Sequence, residues 1–224
     1  MIKSGVPGLD EILKGGFIEG SSIAVAGGPG CGKSIFSLQF LYEGCKNNEP
    51  CLYIITDDTI DGVKREAKSI GLDFDPFEKK GIITFLKEEP RKPLSIAAPL
   101  EIIRQKKIKR VVLDNIALFE FSASSEPEFR RSFMHFLSAM KETKVTLVVI
   151  TQAKASDTGM EHQPEDFLFD GLILLTKIRK GSTFERCIMV IKMRSQEHLL
   201  DIFPFKIAKG GITVYTKQIP FSLK

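Results

Sequence analysis

Short hydrophobic runs alternate with amphipathic segments along the chain as far as residue 151. The runs consist mainly of aliphatic residues, which is typical of strands that are buried on both faces of a sheet. The amphipathic segments repeat their apolar residues every three or four positions, which is the spacing of a helix. The predicted strands are residues 22–26, 51–56, 82–86, 111–113 and 145–150, and the predicted helices are residues 33–45, 59–70, 96–107 and 127–141. This alternation predicts a parallel sheet that helices cover on both sides.

The pattern changes after residue 168, where four strand-like segments follow one another without long helices between them. These segments are residues 171–179, 185–194, 203–207 and 212–216, and the short turns KGS and KGG separate two pairs of them. Turns of this length join antiparallel neighbours. We therefore expect one α/β domain over residues 1–224, with a mostly parallel core and a C-terminal antiparallel extension.

The composition is that of a globular protein, with 43% hydrophobic and 27% charged residues among 224. A formal net charge of +4 permits an anionic ligand but does not indicate the concentrated basic surface of a nucleic-acid-binding protein. No run approaches the ~18 apolar residues that cross a bilayer, and the first residues lack the layout of a secretory signal. The four cysteines have neither metal-ligand nor disulfide spacing, so we expect reduced thiols in a cytoplasmic protein without membrane insertion.

A glycine-rich segment connects the first predicted strand to the first predicted helix. It satisfies the pattern GxxxxGK[ST] in full, with Gly27, Gly28, Pro29, Gly30, Cys31, Gly32, Lys33 and Ser34. Glycines here let backbone N–H groups approach phosphate oxygens, and the amino end of the following helix attracts the same anion. The pattern therefore predicts a nucleoside triphosphate site, in which Lys33 contacts the β- and γ-phosphates and Ser34 binds Mg²⁺. The alternative is a chance glycine-rich turn. Such a turn would not require the predicted strand before it and the amphipathic helix after it, and this chain has both.

A second candidate for the magnesium site is Asp114, which follows three apolar residues at the end of a predicted strand. Taken alone, an aspartate at a strand end caps the next turn as readily as it binds a metal. With the phosphate loop in the same chain, we expect Asp114 to hold Mg²⁺ through water. The basic residues before it, Lys106, Lys107, Lys109 and Arg110, predict a solvated surface at the carboxyl end of a helix.

Five segments together resemble KaiC-type domains of the RecA/RadA superfamily. They read SGVPGLDEILKGGFIEGSSIAVAGGPGCGKSIFSLQFLYEG, TDDTIDGVKREAKSIGLDF, KRVVLDN, PEDFLFDGLILL and VIKMRSQEH. The resemblance covers residues 2–216 as a single copy, whereas the clock protein of this family carries two. It implies a RecA-like P-loop NTPase fold and ATP bound between the subunits of a ring, usually a hexamer. It does not imply a clock function.

The resemblance also implies catalytic roles for residues outside the phosphate loop. Where the family carries paired glutamates that orient the attacking water, this chain has Asp57 and Asp58, which are shorter by one methylene. Lys192 and Arg194 match the family's pair of cations that reach the γ-phosphate of a neighbouring subunit, although Ser195 replaces the glycine after them. From the residues alone, the aspartates also fit a solvated turn and the cations a solvated strand.

Another pair of positions bears on the type of reaction. In the autokinase copy of the clock protein, adjacent Ser and Thr residues precede the strand that matches residues 171–175. Asp166 and Phe167 stand at the matching positions here, and neither can accept a phosphate. The resemblance therefore implies no self-phosphorylation at this place.

Gln152 follows Thr151 at the end of a predicted central strand and is placed to contact the γ-phosphate. The polar loop after it, residues 153–163, corresponds to the channel-facing loop of RecA-like rings, which can touch DNA. Here the loop has one basic residue, Lys154, beside the acidic Asp157 and Glu161, and no aromatic residue for base stacking. We therefore expect no DNA contact from this loop.

Three functions remain open at this point. The first is an ATPase with Mg²⁺ as cofactor, whose turnover in a ring drives or regulates an unidentified partner protein. The second is an assembly module that binds ATP and hydrolyses little of it, which the exchange to Asp57 and Asp58 favours. The third is a recombination accessory protein that binds single-stranded DNA, which the mild net charge disfavours. The retained cations Lys192 and Arg194 favour the first.

Overall fold

A nine-stranded sheet is the central layer of the structure, a computed structural model that describes residues 1–89, 96–156, 159–161 and 164–220. Two further short strands form a separate hairpin. The strands are β1 (Ser22–Gly27), β2 (Cys51–Ile55), β3 (Ile83–Lys87), β4 (Arg110–Asp114), β5 (Thr146–Gln152), β6 (Lys154–Ser156), β7 (Gly159–Glu161), β8 (Gly171–Lys180), β9 (Thr183–Met193), β10 (Phe203–Ala208) and β11 (Gly211–Val214).

The large sheet has the strand order β11-β10-β9-β8-β1-β5-β4-β2-β3. The strands from β8 to β3 in this order pair in parallel, and β9, β10 and β11 pair with their neighbours in antiparallel fashion. The prediction of a mostly parallel α/β sheet with a C-terminal antiparallel extension is confirmed. β8 joins the two parts, because it is parallel to β1 on one side and antiparallel to β9 on the other.

Helices pack on both faces of the sheet, as the alternating pattern predicts. They are α1 (Leu9–Ile12), α2 (Lys33–Lys46), α3 (Ile60–Ser69), α4 (Asp75–Lys79), α5 (Ala97–Lys106), α6 (Ala117–Ser122) and α7 (Glu126–Glu142). Phe36 and Phe40 of α2 belong to the hydrophobic core on one side of the sheet, and Phe133 and Phe136 of α7 belong to the core on the other. A short 3₁₀ helix, Pro164–Leu168, precedes β8.

The sequence pattern did not predict the shortest elements. α1, α4, α6 and the 3₁₀ helix have four to six residues each, too few for a helical repeat of apolar residues to be recognised. The loop predicted at residues 153–163 contains the hairpin of β6 and β7. Asp157 and residues 158, 162 and 163 of that loop lie outside the described residues, so the prediction about DNA contact stays a prediction.

The prediction that Arg110 lies on a solvated surface is wrong. Its side chain is 1% exposed, and its Nε donates to Oε2 of Glu49 at 2.5 Å. Its Nη1 donates to the carbonyl oxygens of Lys3 at 2.7 Å and Phe40 at 2.9 Å, and the guanidinium lies over the Phe40 ring. Arg110 is buried because three segments that are distant in sequence offer it acceptors.

The four cysteines are buried and form no disulfide with one another. Among the described residues, no helix combines the length and the hydrophobicity that crossing a bilayer requires.

Candidate nucleotide-binding site

The phosphate loop lies between the carboxyl end of β1 and the amino end of α2. Gly30 and Gly32 have φ values of 67° and 101°, a region that residues with a Cβ rarely adopt. Gly32 is also the N-cap residue of α2, and it offers no side-chain hydrogen bond to the first amides of that helix. These amides are therefore available to an anion that lies in the loop.

Lys33 folds back over the loop that precedes it. Its Nζ donates hydrogen bonds to the carbonyl oxygens of Gly27 at 2.7 Å and Gly28 at 3.0 Å. Burial lowers the pKa of Lys33, Lys177 acts in the same direction, and Asp114 raises it. A phosphate beside this ammonium group would favour its charged form.

Asp114 and Ser34 meet across the carboxyl ends of the strands. Asp114 ends β4, and Ser34 lies in the first turn of α2. The hydroxyl of Tyr53 donates to Oδ2 of Asp114 at 2.8 Å. Burial raises the pKa of Asp114, and the Tyr53 hydroxyl and the nearby side chain of Ser34 lower it.

This pair fits a magnesium ion that takes its remaining ligands from phosphate and water. Mg²⁺ is usually bound through one or two protein oxygens together with substrate phosphates. Within the described ranges, no group of three or more His, Cys, Asp or Glu side chains is arranged to hold a metal by itself. Ser34 and Asp114 therefore suit a metal that binds together with a nucleotide.

The predicted site residues near the loop come together in one cleft of about 400 Å³. Asp57 and Asp58 reach it from the end of β2, and Gln152 reaches it from the end of β5. Cys31 is buried within the loop. The predicted residues that line the cleft are Gly28, Pro29, Lys33, Ser34, Asp57, Asp58, Asp114 and Gln152.

The structure does not bring Lys192 and Arg194 to the phosphate loop of their own chain. β9 runs antiparallel to β8, so that Lys192 pairs with Leu172 at the end of the sheet opposite the loop. Lys192 donates to the carbonyl oxygen of Phe169, and Arg194 donates to that of Phe167, each at 2.8 Å. Arg194 lies one residue beyond β9, and both cations contact the same turn.

Four residues at the site were not singled out from the sequence: Tyr53, Glu66, Asn115 and Lys177. Tyr53, Glu66 and Asn115 contact Asp114 or line the cleft. Lys177 of β8 donates from Nζ to the carbonyl oxygen of Pro29 at 3.1 Å, which places a second cation against the loop. No local pattern marks these residues, because only the strand order places β8 beside β1 and β2 beside β4.

A protein-family model described as "ATPase: KaiC" matches residues 2–219 of the chain. A UPF0273 protein of Pyrococcus horikoshii is 30% identical, with 97% of this chain and 95% of that protein covered. A UPF0273 protein of Thermotoga maritima is also 30% identical, with 97% and 96% covered.

The circadian clock oscillator protein KaiC of Parathermosynechococcus lividus is 27% identical over 95% of this chain, which spans 42% of that protein. Among solved structures, the crystal structure of the KaiC-like protein PH0186 from Pyrococcus horikoshii OT3 superposes with a TM-score of 0.85. That protein is 30% identical, with 96% of this chain and 98% of that chain covered. The similarity extends over nearly the whole chain, including all the site residues described above.

Proposed function

The chain belongs to the KaiC family of ATPases, and from this premise we propose that it binds Mg²⁺ and ATP at the phosphate loop and hydrolyses the γ-phosphate. The observation that carries the proposal is the arrangement of Lys33, Ser34 and Asp114 at the carboxyl ends of the central strands. Ligands bind at this place in open α/β sheets.

Each residue of the loop has a role that follows from its position. The backbone amides of residues 28–34 hold the phosphates, and Lys33 exchanges its carbonyl contacts for phosphate oxygens. Ser34 and Asp114 hold Mg²⁺, with Asp114 acting through water. The metal ion, when bound, neutralises charge on the β- and γ-phosphates. Gln152 contacts the γ-phosphate from the end of β5.

Hydrolysis also needs a carboxylate that orients water and cations that stabilise the charge of the transition state. Asp57 and Asp58 are the candidates that the family motif names, and both line the cleft. Lys192 and Arg194 lie at the opposite end of the sheet, so they can serve only the phosphate loop of another copy. This position supports a ring in which ATP lies between subunits, a hexamer by family resemblance, whose turnover regulates or drives a partner protein.

Release of inorganic phosphate in the presence of ATP and Mg²⁺ tests the proposed activity. We expect the wild-type protein to release phosphate and chelation of Mg²⁺ to abolish the release. Asp114→Asn should lower the rate by at least about 10-fold, since loss of a metal-site group costs 10–100-fold. Asp73→Asn is the matched control, because Asp73 lies away from the cleft and contacts Lys68 at 3.9 Å. Equal rates for the two variants would contradict the role of Asp114.

A second candidate function is ATP-dependent assembly with little hydrolysis. The observation that favours it is that Asp57 already has hydrogen-bond contacts within the protein, to the side chains of Thr56 and Asn115. A carboxylate held in this way is less available to orient water. Light scattering after gel filtration, with and without ATP, separates the two functions. If the protein assembles only with ATP and releases no phosphate above background, the result would support the assembly function and contradict hydrolysis.

A further inference from the structure

A third carboxylate, Glu66, lines the cleft together with Asp57 and Asp58. It belongs to α3, one turn beyond Val63, whose buried side chain also lines the cleft. Whether Glu66 can act on water depends on how the other two carboxylates are already used.

Asp57 has a contact at both of its carboxylate oxygens. Its Oδ2 accepts from the side-chain amide of Asn115, and its Oδ1 lies 3.2 Å from the hydroxyl of Thr56. That hydroxyl has a single proton, which it can donate to Asp57 or to the backbone carbonyl oxygen of Asp114 at 3.0 Å. These contacts tie the carboxyl ends of β2 and β4 together, so Asp57 fixes the geometry of the strand ends.

Asp58 is held at the amino end of α3, beside the N-cap residue Thr59. Its Oδ1 accepts from the backbone N–H of Thr59 at 2.6 Å. The carboxylate also fills the space beside Gly62, where a Cβ would lie 2.4 Å from Oδ1. Asp58 therefore helps to begin the helix, and a rotation of its side chain toward the phosphate loop would break this contact.

The carboxylate of Glu66 has no such role. Within the part of the chain that the structure describes, it has neither a hydrogen bond nor an ion pair. Glu66 is exposed, so its carboxylate has access to solvent and to the cleft that it lines. Glutamate also reaches one methylene further than aspartate. The side chain is thus free to contact water in the cleft.

We infer that Glu66 is the carboxylate that orients the attacking water and accepts its proton, an inference that rests on the proposed hydrolysis of ATP. The water oxygen bonds to the γ-phosphorus while the bond from that phosphorus to the β–γ bridging oxygen breaks. The electron pair of the broken bond leaves with ADP, and the proton of the water passes to Glu66 and later to solvent. Asp57 and Asp58 are one methylene shorter than the glutamates of the family motif, and the longer side chain of Glu66 takes over their role.

Steady-state phosphate release by Glu66→Gln, combined with calorimetric titration of ATP, tests this role. We expect kcat to fall by about 100-fold or more, the range for loss of a general base, while the dissociation constant of ATP changes little. Glu66→Asp should keep part of the activity, because the carboxylate remains but its reach is shorter. Asp61→Asn is the control on the same helix, since Asp61 lies outside the cleft lining.

The outcomes separate this inference from the proposed function. Glu66→Gln with wild-type kcat, or a loss confined to Asp57→Asn or Asp58→Asn, would overturn the role of Glu66 and leave hydrolysis intact. A wild-type protein that binds ATP without releasing phosphate would overturn both hydrolysis and this role. Loss of ATP binding in Glu66→Gln would also overturn it, because it would show a structural contribution instead.

Discussion

Ser195 holds a backbone conformation that its side chain disfavours. Its φ is 58°, in the left-handed region where a Cβ costs roughly 1–2 kcal/mol. We expect Ser195→Gly to raise the free energy of unfolding by about 1 kcal/mol, after the greater chain entropy of glycine in the unfolded state is included. Urea denaturation followed by circular dichroism measures the change.

The same exchange of serine for glycine at Ser138 is the control, for which we expect the opposite change in the free energy of unfolding. Ser138 lies inside α7, where glycine is less favourable than other residues by up to about 1 kcal/mol. Ser138→Gly should therefore lower the free energy of unfolding. A decrease for both variants would contradict the assignment of strain to Ser195.

The proposed phosphate site could be recognised at the residue scale because a triphosphate ligand restricts residue types at fixed spacing. Lys33, Ser34 and Asp114 follow from what a triphosphate and its metal ion require. Glu66 and Lys177 could not be predicted in this way. One is a polar residue on an amphipathic helix and the other a lysine near a strand end, and only tertiary contacts bring them to the cleft.

At the scale of elements, Arg110 joins α2, β4 and the amino-terminal segment. Its guanidinium is bonded to Glu49 and to the carbonyl oxygens of Lys3 and Phe40. Arg110→Met would leave the carbonyl oxygens of Lys3 and Phe40 without their donor, and two unsatisfied acceptors at about 1–3 kcal/mol each cost about 3 kcal/mol together. We expect the free energy of unfolding to fall by about that amount in urea titrations.

Lys109→Met is the matched control for this prediction. Lys109 precedes Arg110, is exposed, and contacts Glu19 at 3.4 Å. Exposed ion pairs contribute 0–1 kcal/mol, so this variant should lose less than about 1 kcal/mol. Similar losses in the two variants would contradict a special role for the buried arginine.

The sequence predicts long elements better than the contacts between them. The central strands could be recognised because burial on both faces demands continuous apolar runs. The parallel pairing of β8 with β1 could not be recognised, since the turn after β8 indicates only its antiparallel partner β9. The prediction that Arg110 is solvated was wrong for a related reason. A run of basic residues at a helix end does not show which of them contacts buried acceptors.

At the scale of the whole molecule, the residues of the proposed site lie at the two ends of the sheet. The phosphate loop lies at one end, and Lys192 and Arg194 lie at the other. A ring in which each copy serves the next predicts that two inactive variants restore activity to each other. Lys33→Ala and Arg194→Ala should each be inactive alone and active when mixed under conditions that allow subunit exchange.

Phosphate release by an equimolar mixture measures this effect. About a quarter of randomly formed interfaces then combine an intact loop with an intact cation pair, so roughly that fraction of wild-type activity should return. The control mixes Lys33→Ala with Asp114→Asn, which lie on the same side of each interface and should not restore activity. No recovery in the first mixture would contradict action between copies.

The most direct test of the central claim is a calorimetric titration of the protein with ATP in the presence of Mg²⁺. The account predicts one site per chain for the wild-type protein. It also predicts that Lys33→Ala weakens binding by at least about 10-fold, since a charge-assisted contact to phosphate contributes 1.5–3 kcal/mol. An unchanged affinity in Lys33→Ala, or no binding to the wild-type protein at millimolar ATP, would contradict the account.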